Sequence, residues 1–307
     1  MTQFYFTTLL ACMFFATPAL SQQIALQETK TIMNTLADDN KNGRYTGSQG
    51  FDDAAKFVEE FLQEKGFQPL FDTYKDSFKG EKNVAAYNIV AINQSYNPEK
   101  RTIILSGHLD HMGTINKGED RIMNGANDNA SGVTAAMQIS AFLCQLETID
   151  ENVIVALFSG EEQGLLGSSH LAKKMKESEV SVDYGFNFEM IGAMLTDKPN
   201  TVYLTGYKMS NMADVINEAA DDKLVIFFKG AKKLDLFYRS DNYPFYENFD
   251  IPAQTFSSFD FTNYDYYHHV SDEVSELDLE NMNDIINSLA AALQIVLETD
   301  QEIKLKK

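Results

Sequence analysis

Apolar positions along this 307-residue chain follow two spacings that alternate. In residues 51–65, Phe51, Ala55, Val58, Phe61 and Leu62 recur at helical spacing, and the pattern stops at Gly66. Residues 24–38 read as a second amphipathic helix. Short apolar runs of strand length cover 87–92, 101–107, 152–160, 183–190, 201–206, 223–228 and 251–257. Between and after them, helical patterns occupy 130–146, 164–177, 211–222 and 277–300. Strands that alternate with helices predict an α/β fold. The expectation is a three-layer α/β/α sandwich whose central sheet is mixed, mostly parallel and buried on both faces. There is no internal repeat, no low-complexity stretch and no Pro/Gly/Ser linker, so residues 22–307 read as a single domain. Sites in such sheets form beyond the carboxyl ends of the strands. The charged motifs of this chain fall at those ends.

Composition and charge narrow the function classes. The formal net charge is -20, from 45 acidic and 25 basic residues, which argues against nucleic acid and anionic membrane surfaces as partners. Residues 1–21 resemble a secretory signal: apolar through "FYFTTLLACMFFATPAL", uncharged, with the small residues Ala19 and Ser21 ahead of Gln22. The expected location is therefore secreted or periplasmic. The stretch Leu9-Leu10-Ala11-Cys12 offers lipoprotein anchoring at Cys12 as a lesser alternative. No later stretch reaches about 18 unbroken apolar residues, so no membrane span is expected after the signal. With the signal removed Cys144 stands alone, which leaves no intramolecular disulfide, and it reads as a small buried apolar residue.

Five motifs carry candidate chemistry. In "SGHLDHMG" (106–113), His108 can ligate a metal and Asp110 is placed to hold its second ring nitrogen, with His111 next in line. In "NGANDNASG" (124–132), Asp128 precedes a helix; it either caps that helix or is left free because Asn129 or Ser131 does so. In "FSGEEQGLLGS", the adjacent Glu161 and Glu162 follow an apolar strand. Two like charges there resist joint ionisation unless a cation holds them. A metal lowers the pKa of bound water to about 7, and a neighbouring carboxylate can take its proton. The same pair would also suit a helix N-terminus. Glu189 ends a further apolar run in "FNFEMIG", and "DYYHHVSDE" (265–273) carries His268 and His269. Four of the five histidines lie in two of these motifs, and two histidines with several carboxylates suit a pair of zinc ions.

In order and spacing, GHLDHMG, GANDNASG, FSGEEQGLLGS, FEMIG and YHHVSD resemble the secreted bacterial zinc aminopeptidases. Their wider family, the dizinc metallopeptidase family 28, includes glutamate carboxypeptidase-like enzymes and glutaminyl cyclases. The similarity runs from about residue 42 to the final helix. It implies that His108 and Glu189 bind one zinc, that Glu162 and His268 bind the other, and that Asp128 bridges both, with a cis peptide to Asn129. It implies Glu161 as general base and acid, and peptides as substrate. His268 rather than His269 takes the ligand role because it lies four residues before Asp272. Tyr238 falls near the position of a substrate-carbonyl-binding tyrosine.

The chain departs from the family pattern at several positions. Asn127 stands where many members have Asp, Glu189 where many have Asp, and Asn242 where many have His. His269 and Val270 replace the usual Thr and Pro after the ligand histidine. Three other readings stay open at this level. One is a glutaminyl cyclase, disfavoured by the absence of tryptophan. Another is a carboxypeptidase, for which Arg239 is the nearest candidate to hold a free carboxylate. The third is a non-catalytic binding protein on the same scaffold.

Overall fold

The computed structural model describes residues 23–299 and 301–306. The expected signal segment, 1–21, lies outside the described residues. The chain begins with α1 (Leu26–Leu36) and α2 (Gln49–Glu64), the latter capped by Ser48 Oγ, which accepts the Phe51 N–H at 3.2 Å. Strands β1 (Gln68–Pro69), β2 (Lys75–Lys79), β3 (Ala85–Ile92), β4 (Thr102–His108), β5 (Gly113–Thr114) and β6 (Ile122–Met123) follow. Then come α3 (Gly132–Cys144), β7 (Asn152–Phe158), α4 (Leu166–Glu177), β8 (Tyr184–Phe188), β9 (Val202–Leu204), α5 (Met212–Ala220) and β10 (Val225–Ile226). The chain closes with α6 (Lys229–Lys233), α7 (Asn242–Phe249), β11 (Ala253–Ser257) and α8 (Leu279–Glu298).

Nine strands form the main sheet in the order β1-β3-β7-β4-β8-β11-β9-β10, with β2 also paired to β3. The central four, β7-β4-β8-β11, are parallel; β1, β2 and β3 join antiparallel on one side and β9 antiparallel on the other. The sheet is therefore mixed, and parallel at its centre.

Two-residue periodicity divides the buried strand residues between two layers. Ile103, Leu105, Val153, Val155 and Leu157 pack toward α1, α2, α3, α5 and α8. Ile104, Ile154, Ala156 and Phe158 pack toward Leu171 and Met175 of α4 and Phe245 of α7. Strands buried on both faces read as continuous apolar runs, which is why β4, β7 and β8 stand out in the sequence.

Four features differ from the sequence reading. Strand β2, "KDSFK", has no apolar run to mark it, because an edge strand bears charge. The run 223–228 is reduced to a two-residue strand. Helix α7 lacks apolar periodicity and has Pro244 in its first turn, where proline is tolerated. Cys144, expected buried, ends α3 half-buried with its thiol 4.0 Å from the Lys65 carbonyl.

Candidate active site

Parallel alignment of β4, β7 and β8 brings three chain segments to one rim of the sheet. His108 is the last residue of β4, Glu161 and Glu162 lie in the turn after β7, and Glu189 follows β8 directly. The glutamate pair is not in a helix, since α4 begins only at Leu166. The long connection from β11 to α8 contributes His268, and the turn before α3 contributes Asp128.

Asp128 sits at the centre of this arrangement. Its Oδ1 lies 3.3 Å from His108 Nε2 and its Oδ2 lies 3.1 Å from His268 Nε2. His268 Nε2 is also 3.3 Å from Glu162 Oε2. One donor atom each from His108, Asp128 and Glu162 lies within 4.8 Å of the others. These residues, together with Glu161 and Glu189, line a cavity of about 460 Å³.

The Asp128 turn is held firmly. The Asp128–Asn129 peptide is cis. Asn129 Oδ1 accepts the Gly132 and Met190 N–H groups, each at 3.1 Å, and its Nδ2 donates to the Phe188 carbonyl at 2.9 Å. Asn129 thus caps α3 and ties the turn to the end of β8, which leaves Asp128 free. Asn127 faces away from the cavity, its Oδ1 accepting the Gly192 N–H at 2.9 Å. Asp272 supports the same turn, accepting the N–H groups of Asn127 and Asp128 at 2.7 and 3.0 Å. His268 adopts a left-handed φ of 55°, with its ring stacked on Tyr267 at 4.0 Å. Such backbone conformations in non-glycine residues concentrate at functional sites.

Asp110 acts through a different atom than expected. His108 Nδ1 meets the backbone carbonyl of Asp110 at 3.0 Å, whereas the Asp110 carboxylate is 3.9 Å away. That carboxylate instead accepts the Thr46 hydroxyl at 3.0 Å and the Glu161 N–H at 3.3 Å. Burial pushes its pKa up. Asp110 therefore links the His108 turn to the backbone of Glu161.

The charges at the site perturb one another strongly. Burial pushes Glu161 well above the usual glutamate range; His108 opposes this, and Glu189, Asp241 and Glu162 reinforce it. Burial likewise raises Glu189 to about 7, against His108 and with Asp241. For Asp128 burial is outweighed by hydrogen bonds from His108 and His268, and the pKa falls. Hydrogen bonds to Asp128 and Glu162 raise His268 to about 10. His108 is buried, yet the charges of Glu161, Asp128 and Asp110 hold it well above the usual histidine value.

These donors fit a bound cation. Glu189 Oε2 accepts the Ser240 hydroxyl at 2.7 Å, but its Oε1 is buried without a partner. Asp241 is fully buried and neither of its oxygens meets a hydrogen-bond donor. Burial raises its pKa to about 7, His108 opposing; Ser168 offsets part of the rise without reaching hydrogen-bond geometry. A cluster of buried carboxylates and imidazoles with unmatched acceptors is the chemistry that zinc satisfies.

The walls of the cavity include Tyr238, Arg239, Phe261 and Tyr267. Tyr238 is 52% exposed and packs edge-on against Phe237 and Tyr243. Asp241, Ser240 and Tyr267 carry no role in the sequence reading, and His111 is named in its motif without one. The first two adjoin Asn242 in "RSDNYPF" and Tyr267 precedes His268, so proximity to motif residues was the available signal.

Residues 88–293 match the model of Peptidase family M28. All six residues placed around the cavity, from His108 to His268, lie inside that range. A probable zinc metalloprotease from Pyrenophora tritici-repentis is 30% identical over 115 residues, covering 38% of this chain and 24% of that protein. The match thus spans about a quarter of that relative's length. Among solved structures, the LapA aminopeptidase of Legionella pneumophila aligns with a TM-score of 0.71 at 19% identity, over 91% of this chain and 73% of that one. A glutaminyl cyclase of Porphyromonas gingivalis aligns with a TM-score of 0.66 at 17% identity, over 88% and 97%. At such identities the structural likeness speaks to the fold alone.

Proposed function

Because the chain belongs to peptidase family M28, we propose that it is a zinc-dependent exopeptidase that removes N-terminal residues from peptides. The observation that carries this reading is the Asp128 carboxylate, which offers one oxygen toward His108 and the other toward His268. Two zinc ions are proposed. His108, Asp128 and Glu189 would hold one, and Asp128, Glu162 and His268 the other. Bound zinc supplies Lewis acidity, polarising a carbonyl and acidifying water.

The remaining work falls to the chain itself. Glu161 lines the same cavity with its backbone fixed by Asp110. Its raised pKa suits a carboxylate that takes a proton from the attacking water and returns it to the leaving amine. The surplus of carboxylates around Glu189 and Asp241 favours a substrate that brings a free ammonium group, which is the chemistry of an N-terminus. Tyr238, Phe261 and Tyr267 offer apolar surface to side chains next to the scissile bond, and Arg239 is placed at the exposed wall. Export with removal of residues 1–21 belongs to the same proposal.

The test is a panel of aminoacyl fluorogenic substrates, their N-acetylated forms and an N-terminal glutamine peptide, each with and without a chelator. Hydrolysis of the free-amine substrates, lost on chelation and on acetylation, is expected. Cyclisation of the glutamine peptide without hydrolysis of the others would replace this reading with a cyclase.

A further inference from the structure

His111 follows the β4 turn and is completely buried. Its Nδ1 lies 2.8 Å from Glu162 Oε1, and its Nε2 has no hydrogen-bond partner. The ring cannot leave this slot easily. A Cβ on Gly125, whose φ is +57°, would stand 2.5 Å from the His111 Cδ2, so only glycine lets the loop backbone lie against the ring. The His111 N–H donates to the Arg44 carbonyl at 3.2 Å, and the buried Arg44 guanidinium donates to the carbonyls of Leu109 and Gly125 at 2.8 and 2.9 Å.

The two oxygens of Glu162 therefore face different partners. Oε1 meets His111, and Oε2 meets His268 at 3.3 Å. His111 Nδ1 is 3.7 Å from the nearer Asp128 oxygen, outside hydrogen-bond reach. An ionised carboxylate can only accept, so Nδ1 carries the proton in this contact.

We propose that His111 is a positioning residue that holds Glu162 Oε1 by hydrogen bond and presents Oε2 alone, beside His268 and Asp128, to the second zinc. This rests on the two-zinc reading above. Without the clamp, Glu162 is free to turn or to offer both oxygens, and the position left open for water and substrate narrows. Partners that orient a metal ligand typically change affinity by about 10–100-fold when removed.

The test compares His111→Asn with His111→Gln. The asparagine amide nitrogen falls near the position of Nδ1, and that of glutamine near Nε2. Competition with a chromophoric chelator gives the two zinc dissociation constants for the wild type and each variant. In His111→Gln one zinc is expected to weaken by ~10–100-fold while the other stays within ~3-fold, and His111→Asn is expected to keep both within ~3-fold of wild type. The visible spectrum of the cobalt-loaded asparagine variant should match that of the wild type. Unchanged constants in His111→Gln overturn the proposal. So does equal weakening in both variants, which makes the imidazole a direct ligand or only a packing group. A wild-type protein that takes up a single zinc instead overturns the two-zinc reading itself.

Discussion

Asp272 accepts the backbone N–H of Asp128 at 3.0 Å, so the loop that delivers His268 also fixes the residue placed between the two histidines. The same carboxylate takes the Asn127 N–H and the Tyr264 hydroxyl at 2.7 and 2.6 Å. An amide at this position turns one acceptor into a donor facing N–H groups. Asp272→Asn is expected to lower stability by roughly 1–3 kcal/mol and zinc affinity by about 10–100-fold. Denaturant unfolding and chelator competition measure the two effects. Wild-type values in both would remove Asp272 from any role in holding the turn.

Glu161 is the residue proposed for proton transfer, and it is not among the proposed ligands. Glu161→Gln is expected to keep its zinc and lose about 10²–10⁴-fold in turnover. Elemental analysis and steady-state kinetics on the same preparation separate the two quantities. Turnover near that of the wild type would end the general-base assignment.

Asp128 should matter to both metals at once. In Asp128→Ala, zinc measured after dialysis is expected to fall for both equivalents, whereas Glu189→Ala should lose chiefly one. Full zinc content in the Asp128 variant would sink its bridging position.

The metal-free protein should lose stability as pH rises. Glu189 and Asp241 bind protons more tightly folded than unfolded, so their contribution is present in acid and is lost from their ordinary values, 4.5 and 3.8, through about 7. The contribution of His268 is complete below 6.5 and is lost on passing about 10. His108 has the same sign, while Asp128 opposes, contributing above 3.8 and losing that in strong acid. The melting temperature of the chelated protein is therefore expected to fall between about pH 5 and about pH 9. The rise on adding zinc should grow over the same span, because the ligands must shed protons to bind it. A melting temperature that climbs with pH in the chelated protein contradicts this account.

Arg44 is completely buried and donates to the carbonyls of Leu36, Leu109, Asn124 and Gly125 at 2.8, 2.8, 2.5 and 2.9 Å. Burial lowers its pKa to about 10, with Asp272 and Asp128 opposing, so it remains a cation at neutral pH. Three of those carbonyls belong to the two segments that carry His108 and Asp128. Arg44→Met leaves buried acceptors unmatched and is expected to cost at least about 3 kcal/mol, with loss of zinc. Unfolding measured on the metal-free protein isolates the first effect; a change under about 1 kcal/mol would show that water or a shifted loop replaces the guanidinium.

Much of the fold was readable from periodicity, because buried strands such as β4 and β7 are apolar throughout and helices such as α2 and α8 carry an apolar stripe. Edge strand β2 and helix α7 were not, since neither buries a regular face of its own. The chemistry-bearing residues were also readable as types: His108, Asp128, Glu161, Glu162, Glu189 and His268 all line one cavity. Their second partners were not. Asp110 touches His108 through its carbonyl rather than its side chain, a choice set by the turn after β4 and invisible in residue identity.

By itself, then, the sequence determined which segments are buried and which polar residues lie at strand ends, since burial and period are local properties of the chain. Only the tertiary structure decided which of those residues meet. The adjacency of β4, β7 and β8, and a loop returning from β11, place His268 against Asp128 across 140 residues of chain. The same packing buries Asp241 and His111 beside the site, raising the pKa of the Asp241 carboxyl and setting His111 Nδ1 against Glu162. Charge, desolvation and hydrogen-bond geometry act over a few ångströms in space, and separation along the sequence does not encode that distance.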